Sequence, residues 1–170
     1  MFMRMILALG IAFVFLVLMP WVVLAETHVV EMRNADPENP NLINLFTPAI
    51  LKIQPGDTVK FAVVDKGHNS ASKRGMLPEG AEPWNGKIDE ELEVSFDIEG
   101  IYGYVCLPHY SMGMVGLILV GDYHANLGKA RAVKQRGKAK KNFRALFEQV
   151  DALKSDRVPA IAPAAEGDGS

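Results

Sequence analysis

The chain has 170 residues, enough for one domain with a real core, and its 20 acidic against 18 basic side chains leave a formal net charge of −2. The near-balance hides a split: residues 26–122 carry 7 Lys and Arg against 15 Asp and Glu, while residues 123–170 carry 10 against 5. An acidic main segment excludes a nucleic-acid binder, which needs a basic face, and the positive C-terminal stretch reads first as a solvated helix face.

After Arg4 comes an apolar run from Met5 to Leu18, then Pro20 and "VVLAE". One positive charge, an apolar stretch and Ala25 before Glu26 predict a secretory signal over residues 1–25, cleaved after Ala25. The competing reading is an uncleaved anchor, since Met5 to Ala25 is about long enough to span a bilayer. Export makes the cysteine count informative, because Cys106 is the only cysteine and has no partner for an intramolecular disulfide. A buried inert thiol, an intermolecular bridge and a thiolate held by a metal remain.

From Thr27 to Val120 the signals are short strands separated by turns. "THVVEMRN" reads as a first strand and "ADPENPN" as loop. "AILKIQPGDTVKFAVV" predicts two strands around Pro55-Gly56-Asp57, with Ile50, Ile53, Val59, Phe61 and Val63 alternating as a half-buried sheet requires. Residues 65–86 form a long stretch broken by glycine and proline, anchored by a methionine and a tryptophan. "ELEVSFDIEG" alternates again, with Leu92, Val94, Phe96 and Ile98 on one face. Residues 101–105 and 115–120 complete a set that has no intervening helix, the pattern of a sandwich or barrel.

The period then changes. A short helical piece is predicted over residues 125–135, with Gly137 separating it from a second helix. On that second helix Phe143, Leu146, Phe147, Val150 and Leu153 make an apolar stripe expected to fold back onto the sandwich. From Val158 the composition is that of a disordered tail. The organisation expected is a signal over 1–25, a β-sandwich over 26–122, packed helices over 123–155 and a tail over 156–170.

The chemistry concentrates in "GIYGYVCLPHYSMGMVG", residues 100–116, where Cys106, His109 and Met114 stand at Cys-x2-His-x4-Met. His68 lies 38 positions before Cys106, in "DKGHNSAS", also a loop after a strand. One thiolate, two imidazoles and a thioether make a soft nitrogen-and-sulfur set that suits copper in a trigonal His2Cys plane with a weak axial Met. Zinc could take the same four donors, and Met112 competes with Met114 for the axial place. A Cys-His nucleophile pair is the catalytic rival, weakened because the loop holds no Asn, Asp or Gln to orient His109.

Four segments carry a resemblance: "PAILKIQPGDTVKF", "DKGHNSASKRGMLPEGAEPW", "GIYGYVCLPHYSMGMVGLILVGD" and "ANL". Through Gly67-His68-Asn69 and Cys106-x-Pro108-His109-Tyr110-x-Met112-Gly113-Met114 the chain resembles the pseudoazurins, periplasmic blue copper proteins of the cupredoxin family, over residues 32–153. The resemblance implies a mainly β cupredoxin fold, a Greek-key β-sandwich with two C-terminal α-helices. It implies one type 1 copper on His68, Cys106, His109 and Met114, with the backbone N–H of Asn69 bonded to the Cys106 thiolate. It also implies transient electron transfer through His109, rimmed by Pro108 and Met112, and no enzymatic activity. The expected partners are redox proteins, a copper nitrite reductase or a cytochrome c; a copper carrier or storage protein is the alternative. The chain departs from the family in its docking lysines. Lys66 matches one, but Ala35, Asn85 and Val105 stand where others are expected, so only Lys66, Lys73, Arg74 and Lys87 form a reduced positive patch near the His68 loop.

Overall fold

The computed structural model describes residues 24–155, with side chains through residue 153. Most of the expected signal segment and all of the expected tail lie outside the described residues. Eight strands run in chain order: β1 (Thr27–Ala35), β2 (Ile43–Thr47), β3 (Ile50–Ile53), β4 (Asp57–Val63), β5 (Ala71–Ser72), β6 (Leu92–Phe96), β7 (Gly100–Val105) and β8 (Val115–Val120). Helices α1 (Leu127–Ala132) and α2 (Gly137–Ser155) follow. The strands make two sheets, ordered β2-β1-β4-β6 and β3-β8-β7-β5. Pairs β1/β4 and β3/β8 are parallel and the others antiparallel.

The Pro55-Gly56-Asp57 turn joins strands of different sheets, since β3 pairs with β8 while β4 pairs with β1 and β6. The alternation read across it therefore serves one core from two sides. Strands β2 and β5 went unread. Two proline-bearing segments flank β2, and β5 is two residues long, too short for any period. Ile98 does not continue the buried face of β6: it lies beyond the strand end and is exposed. Leu153 is likewise exposed at the far end of α2, where the stripe runs past the sandwich.

Every residue of β7 and β8 is buried, because both faces of this sheet are covered. Tyr102, Tyr104, Ile118 and Val120 face the other sheet among Phe46, Phe61, Trp84 and Phe96. Ile101, Val105, Leu117 and Leu119 face Phe143, Leu146, Phe147 and Val150 of α2. Each of those α2 side chains contributes about 1.5–3 kcal/mol by leaving water. Gly116 stands opposite Tyr104 in the β7/β8 ladder. Any side chain at 116 would collide with the Tyr104 ring, which lies over that bare backbone. Cys106 follows directly on β7 and enters the core with the Tyr102 and Tyr104 face.

The sandwich is pinned at its start by Asp57. Its buried carboxylate accepts the backbone N–H groups of Glu26 and Gln54, each at 2.9 Å, and lies 2.9 Å from Nε2 of His28. The bond from Glu26, then those from Gln54 and His28, hold its pKa below the usual carboxylate value against the opposing effect of burial. A depressed folded pKa stabilises the fold above the unfolded value of about 3.9 and loses that contribution as pH falls through the folded pKa. Asp57→Asn is therefore expected to lower stability at neutral pH by about 1–3 kcal/mol. The gap to the parent protein should close as thermal melts are moved from pH 7 to below about pH 3.9.

Candidate metal centre

Two loops meet at one end of the sandwich. His68 sits after β4 and Cys106 after β7; His109 precedes a single 3-10 turn, Tyr110–Met112. The ligand atoms of His68, Cys106 and His109 all lie within 4.8 Å of one another. Sγ of Cys106 is 3.7 Å from Nδ1 of His68 and 3.5 Å from Nδ1 of His109, and the two nitrogens are 3.1 Å apart. Bonds of about 2.0 Å to imidazole and about 2.3 Å to thiolate, opened at about 100–120°, span sulfur–nitrogen edges of about 3.3–3.7 Å and a nitrogen–nitrogen edge of about 3.1–3.5 Å. The triangle fits one small ion.

The surroundings prepare each donor. Nε2 of His68 donates to Oδ1 of Asn34 at 2.9 Å, which places the proton on Nε2 and leaves the Nδ1 lone pair facing the sulfur. Burial, then the charge of His109, keeps the His68 pKa below its usual value, so the ring is held neutral. Burial pushes the Cys106 thiol up, while backbone N–H groups of Asn69 and His109 reach its sulfur and oppose that shift. Cys106 and His68 are fully buried, whereas His109 is partly exposed. A thiol that is both inaccessible and pushed up is a poor nucleophile, which argues against the Cys-His catalytic reading.

Asn69 ties the two loops together. Its side-chain N–H donates to the Gly86 carbonyl at 2.9 Å and its Oδ1 accepts the Leu107 N–H at 2.8 Å. The loop after Cys106 closes on itself, with Cys106 N–H bonded to the Met114 carbonyl and Met114 N–H to the His109 carbonyl. Gly113 has φ of +99°, and its carbonyl accepts from Nδ2 of Asn142 on α2 at 2.8 Å. A side chain at 113 would strike that amide. Met114 is fully buried in the same core cluster as Cys106, and Met112 is 44% exposed. The two thioethers are thus separated by environment.

Around His109 the exposed apolar side chains are Leu107, Pro108 and Met112. Leu107 went unread in the sequence, where its side chain could equally have pointed inward. Of the four cations expected near the His68 loop, Lys66 and Arg74 are exposed. Lys87 pairs with Glu90 at 3.3 Å, and Lys73 places its ammonium 4.6 Å from the Tyr110 ring centroid, on the His109 side. Asn34 also went unread. Nothing in "MRNAD" marks it, because its role depends on β1 pairing in parallel with β4.

Comparison with known proteins gives a consistent answer. The family described as "Copper binding proteins, plastocyanin/azurin family" matches residues 38–121. A pseudoazurin of Methylorubrum extorquens is 40% identical over 126 residues, covering 74% of this chain and 83% of the relative. One from Paracoccus pantotrophus is 39% identical over 127 residues, covering 75% and 86%. Among solved structures, a Sinorhizobium pseudoazurin superposes with a TM-score of 0.71 at 44% identity, covering 75% of this chain and 98% of that one.

The Asn34 contact generates a prediction. Asn34→Ala removes the acceptor that fixes the His68 ring, so metal affinity should fall about 10- to 100-fold in a chelator competition titration. Thermal stability of the metal-free protein should also fall, by about 1–3 kcal/mol, because the Nε2–H of the buried His68 loses its acceptor.

Proposed function

The chain belongs to the plastocyanin/azurin family of copper-binding proteins, on its pseudoazurin branch, and from that premise we propose how its residues carry out electron transfer. It binds one type 1 copper and is an electron-transfer protein rather than an enzyme. Our reading is that His68, Cys106 and His109 hold the ion in their plane and that Met114 is the axial ligand. The observation that carries it is the triangle of one sulfur and two Nδ1 atoms, with edges of 3.1–3.7 Å. The copper supplies the redox chemistry, alternating between Cu(II) and Cu(I) as one electron arrives or leaves.

The protein's own groups do the rest. Cys106 donates from a dry core, and the N–H of Asn69 withdraws electron density from its sulfur. His68 anchors the site from inside through Asn34, and His109 brings the site to the surface. Leu107, Pro108 and Met112 surround His109 with an apolar patch suited to brief contact with a redox partner. Docking of this kind uses small interfaces, so that the partner is released after each exchange. The partner class we favour is a copper nitrite reductase, with a cytochrome c as the other; the pseudoazurin relationship is what supports it.

Export to the periplasm belongs to the same reading. No helix of the described residues is long and apolar enough to cross a membrane. Cleavage after Ala25 finds support at Asp57, because the backbone nitrogen of Glu26 lies 2.9 Å from its Oδ1. A cut there makes that nitrogen an ammonium beside a buried carboxylate whose other partners among the described residues are the Gln54 N–H and the His28 ring. Mass spectrometry of the exported protein should find Glu26 at the N-terminus. Acetylating that amine should lower stability at neutral pH by about 1–3 kcal/mol, as loss of a charged hydrogen bond does.

The decisive measurement is the visible spectrum of the purified protein with Cu(II). Intense thiolate-to-copper absorption, bleached by a mild reductant, is expected; a colourless protein would sink the reading. Cys106→Ser should abolish the colour, since a hydroxyl stays protonated where a thiolate binds. Met114→Leu should keep the copper and raise the reduction potential, because the axial ligand tunes it. An unchanged potential in that variant would point to Met112.

A further inference from the structure

The C-terminal helices carry a segregation of charge that electron transfer at His109 leaves unused. Between Asp122 and Glu148 the chain has eight Lys and Arg and no Asp or Glu. These cations do not all face one way. Lys138 lies against Gly113 and Asn142 donates to the Gly113 carbonyl, so that row of α2 looks toward the ligand loop. At about 3.6 residues per turn, Lys140 and Arg144, each two residues further on, point about 200° away from that row. They look instead toward α1, where Arg131 bonds Asp151 at 2.8 Å and places its guanidinium 5.2 Å from the Phe147 ring centroid.

Between the two helices runs a groove of about 400 Å³. Val133, Phe143 and Phe147 line its base, and the exposed side chains of Arg131, Lys134, Lys140 and Arg144 stand at its edges. Its two acids are already engaged, Asp151 by Arg131 at 2.8 Å and Glu148 by Arg144 at 3.0 Å. Lys134 and Lys140 form no ion pair among the described residues. The groove therefore sets two uncompensated positive charges beside an apolar base.

We propose that this face of the helices is a membrane-docking surface and that its occupant is an anionic phospholipid bilayer. Lipid phosphates lie against Lys134 and Lys140, and the first methylenes of an acyl chain cover Val133, Phe143 and Phe147. Charge and shape both select that occupant. A free phosphate ion would leave the apolar base uncovered, and a neutral lipid would leave the lysines without partners. The acidity of residues 26–122 does not oppose the approach, because α2 covers the β3-β8-β7-β5 sheet and the β2-β1-β4-β6 sheet lies behind it. Stacked sheets are about 10 Å apart, more than the Debye length of about 8 Å at physiological salt. The port stays free, since the groove is on the flank of α2 opposite the ligand loop. Docking itself needs no copper. Its use, holding the carrier within reach of membrane-bound redox proteins, rests on the electron-transfer reading above.

The test sediments the exported, copper-loaded protein with sucrose-filled vesicles. It should pellet with phosphatidylcholine mixed with phosphatidylglycerol and not with phosphatidylcholine alone. Raising salt to about 1 M, where the Debye length is about 3 Å, should release it. Lys134→Gln/Lys140→Gln should lower the partition coefficient about 25-fold, about five-fold for each charge. Arg33→Gln/Lys60→Gln makes the same change in net charge on the outer face of the β2-β1-β4-β6 sheet and should pellet like the parent. Equal loss in both variants, no loss in the first, or no binding by the parent would overturn the proposal. So would a parent that binds soluble polyglutamate but no vesicle, which would give the groove to an acidic protein. Hydroquinone, a neutral reductant, should bleach the vesicle-bound Cu(II) protein as fast as the free protein; blocked reduction would refute the orientation. Metal-free protein should pellet equally, so a failure of the copper reading shows in the colour and not in the pellet.

Discussion

The molecule is organised around a meeting that the chain resists: three donor atoms, borne on two loops, have to come within bonding distance of one ion inside a dry core. Desolvation alone opposes it, since burial disfavours a charged thiolate and a charged imidazole. Asn69 resolves much of the difficulty. It spans the gap between the loops with both ends of its amide, and its own backbone N–H reaches the sulfur. Position and electronic tuning thereby come from one residue, adjacent in sequence to the first ligand. The helices matter for the same reason, because Asn142 and Gly137 hold the far side of the ligand loop.

The two imidazoles divide the labour of an electron carrier. His68 is sealed in, its outer nitrogen occupied by Asn34, and it contributes rigidity. His109 has no such inward anchor and stands partly open beneath Leu107, Pro108 and Met112. In the proposed reading His109 is the electron's way out, and the apolar side chains beside it exclude water where a partner presses against them. On the helical side of that rim Lys134, Arg136, Lys138 and Lys141 are exposed, while the His68 side mixes Asp65 and Asp89 with Lys66 and Arg74.

Much of this was legible from the residues alone, and the exceptions are instructive. The ligand motif could be read because Cys106, His109 and Met114 are close in sequence and chemically unlike ordinary core. The stripe on α2 could be read because a helix buries one face over many turns. Strand β5 could not, since two residues carry no period, and Ile98 was misplaced because alternation does not announce where a strand stops. Asn34 and Leu107 act through tertiary placement, one by a parallel pairing and one by facing outward, and neither leaves a local signature. Charge counts correctly separated an acidic sandwich from basic helices, but only the fold brings those helices to the port.

The double burial of β7 and β8 has a consequence beyond packing. The ligand loop is the hairpin between these two strands, and both are covered by a sheet on one side and by helices or their connections on the other. Such a hairpin cannot fray by itself, so the opening that would expose Cys106 is coupled to melting of the whole domain. Metal loss by way of the strands would then require the core to open. A carrier built to hand over its cargo needs a loose gate, and here the gate is the core.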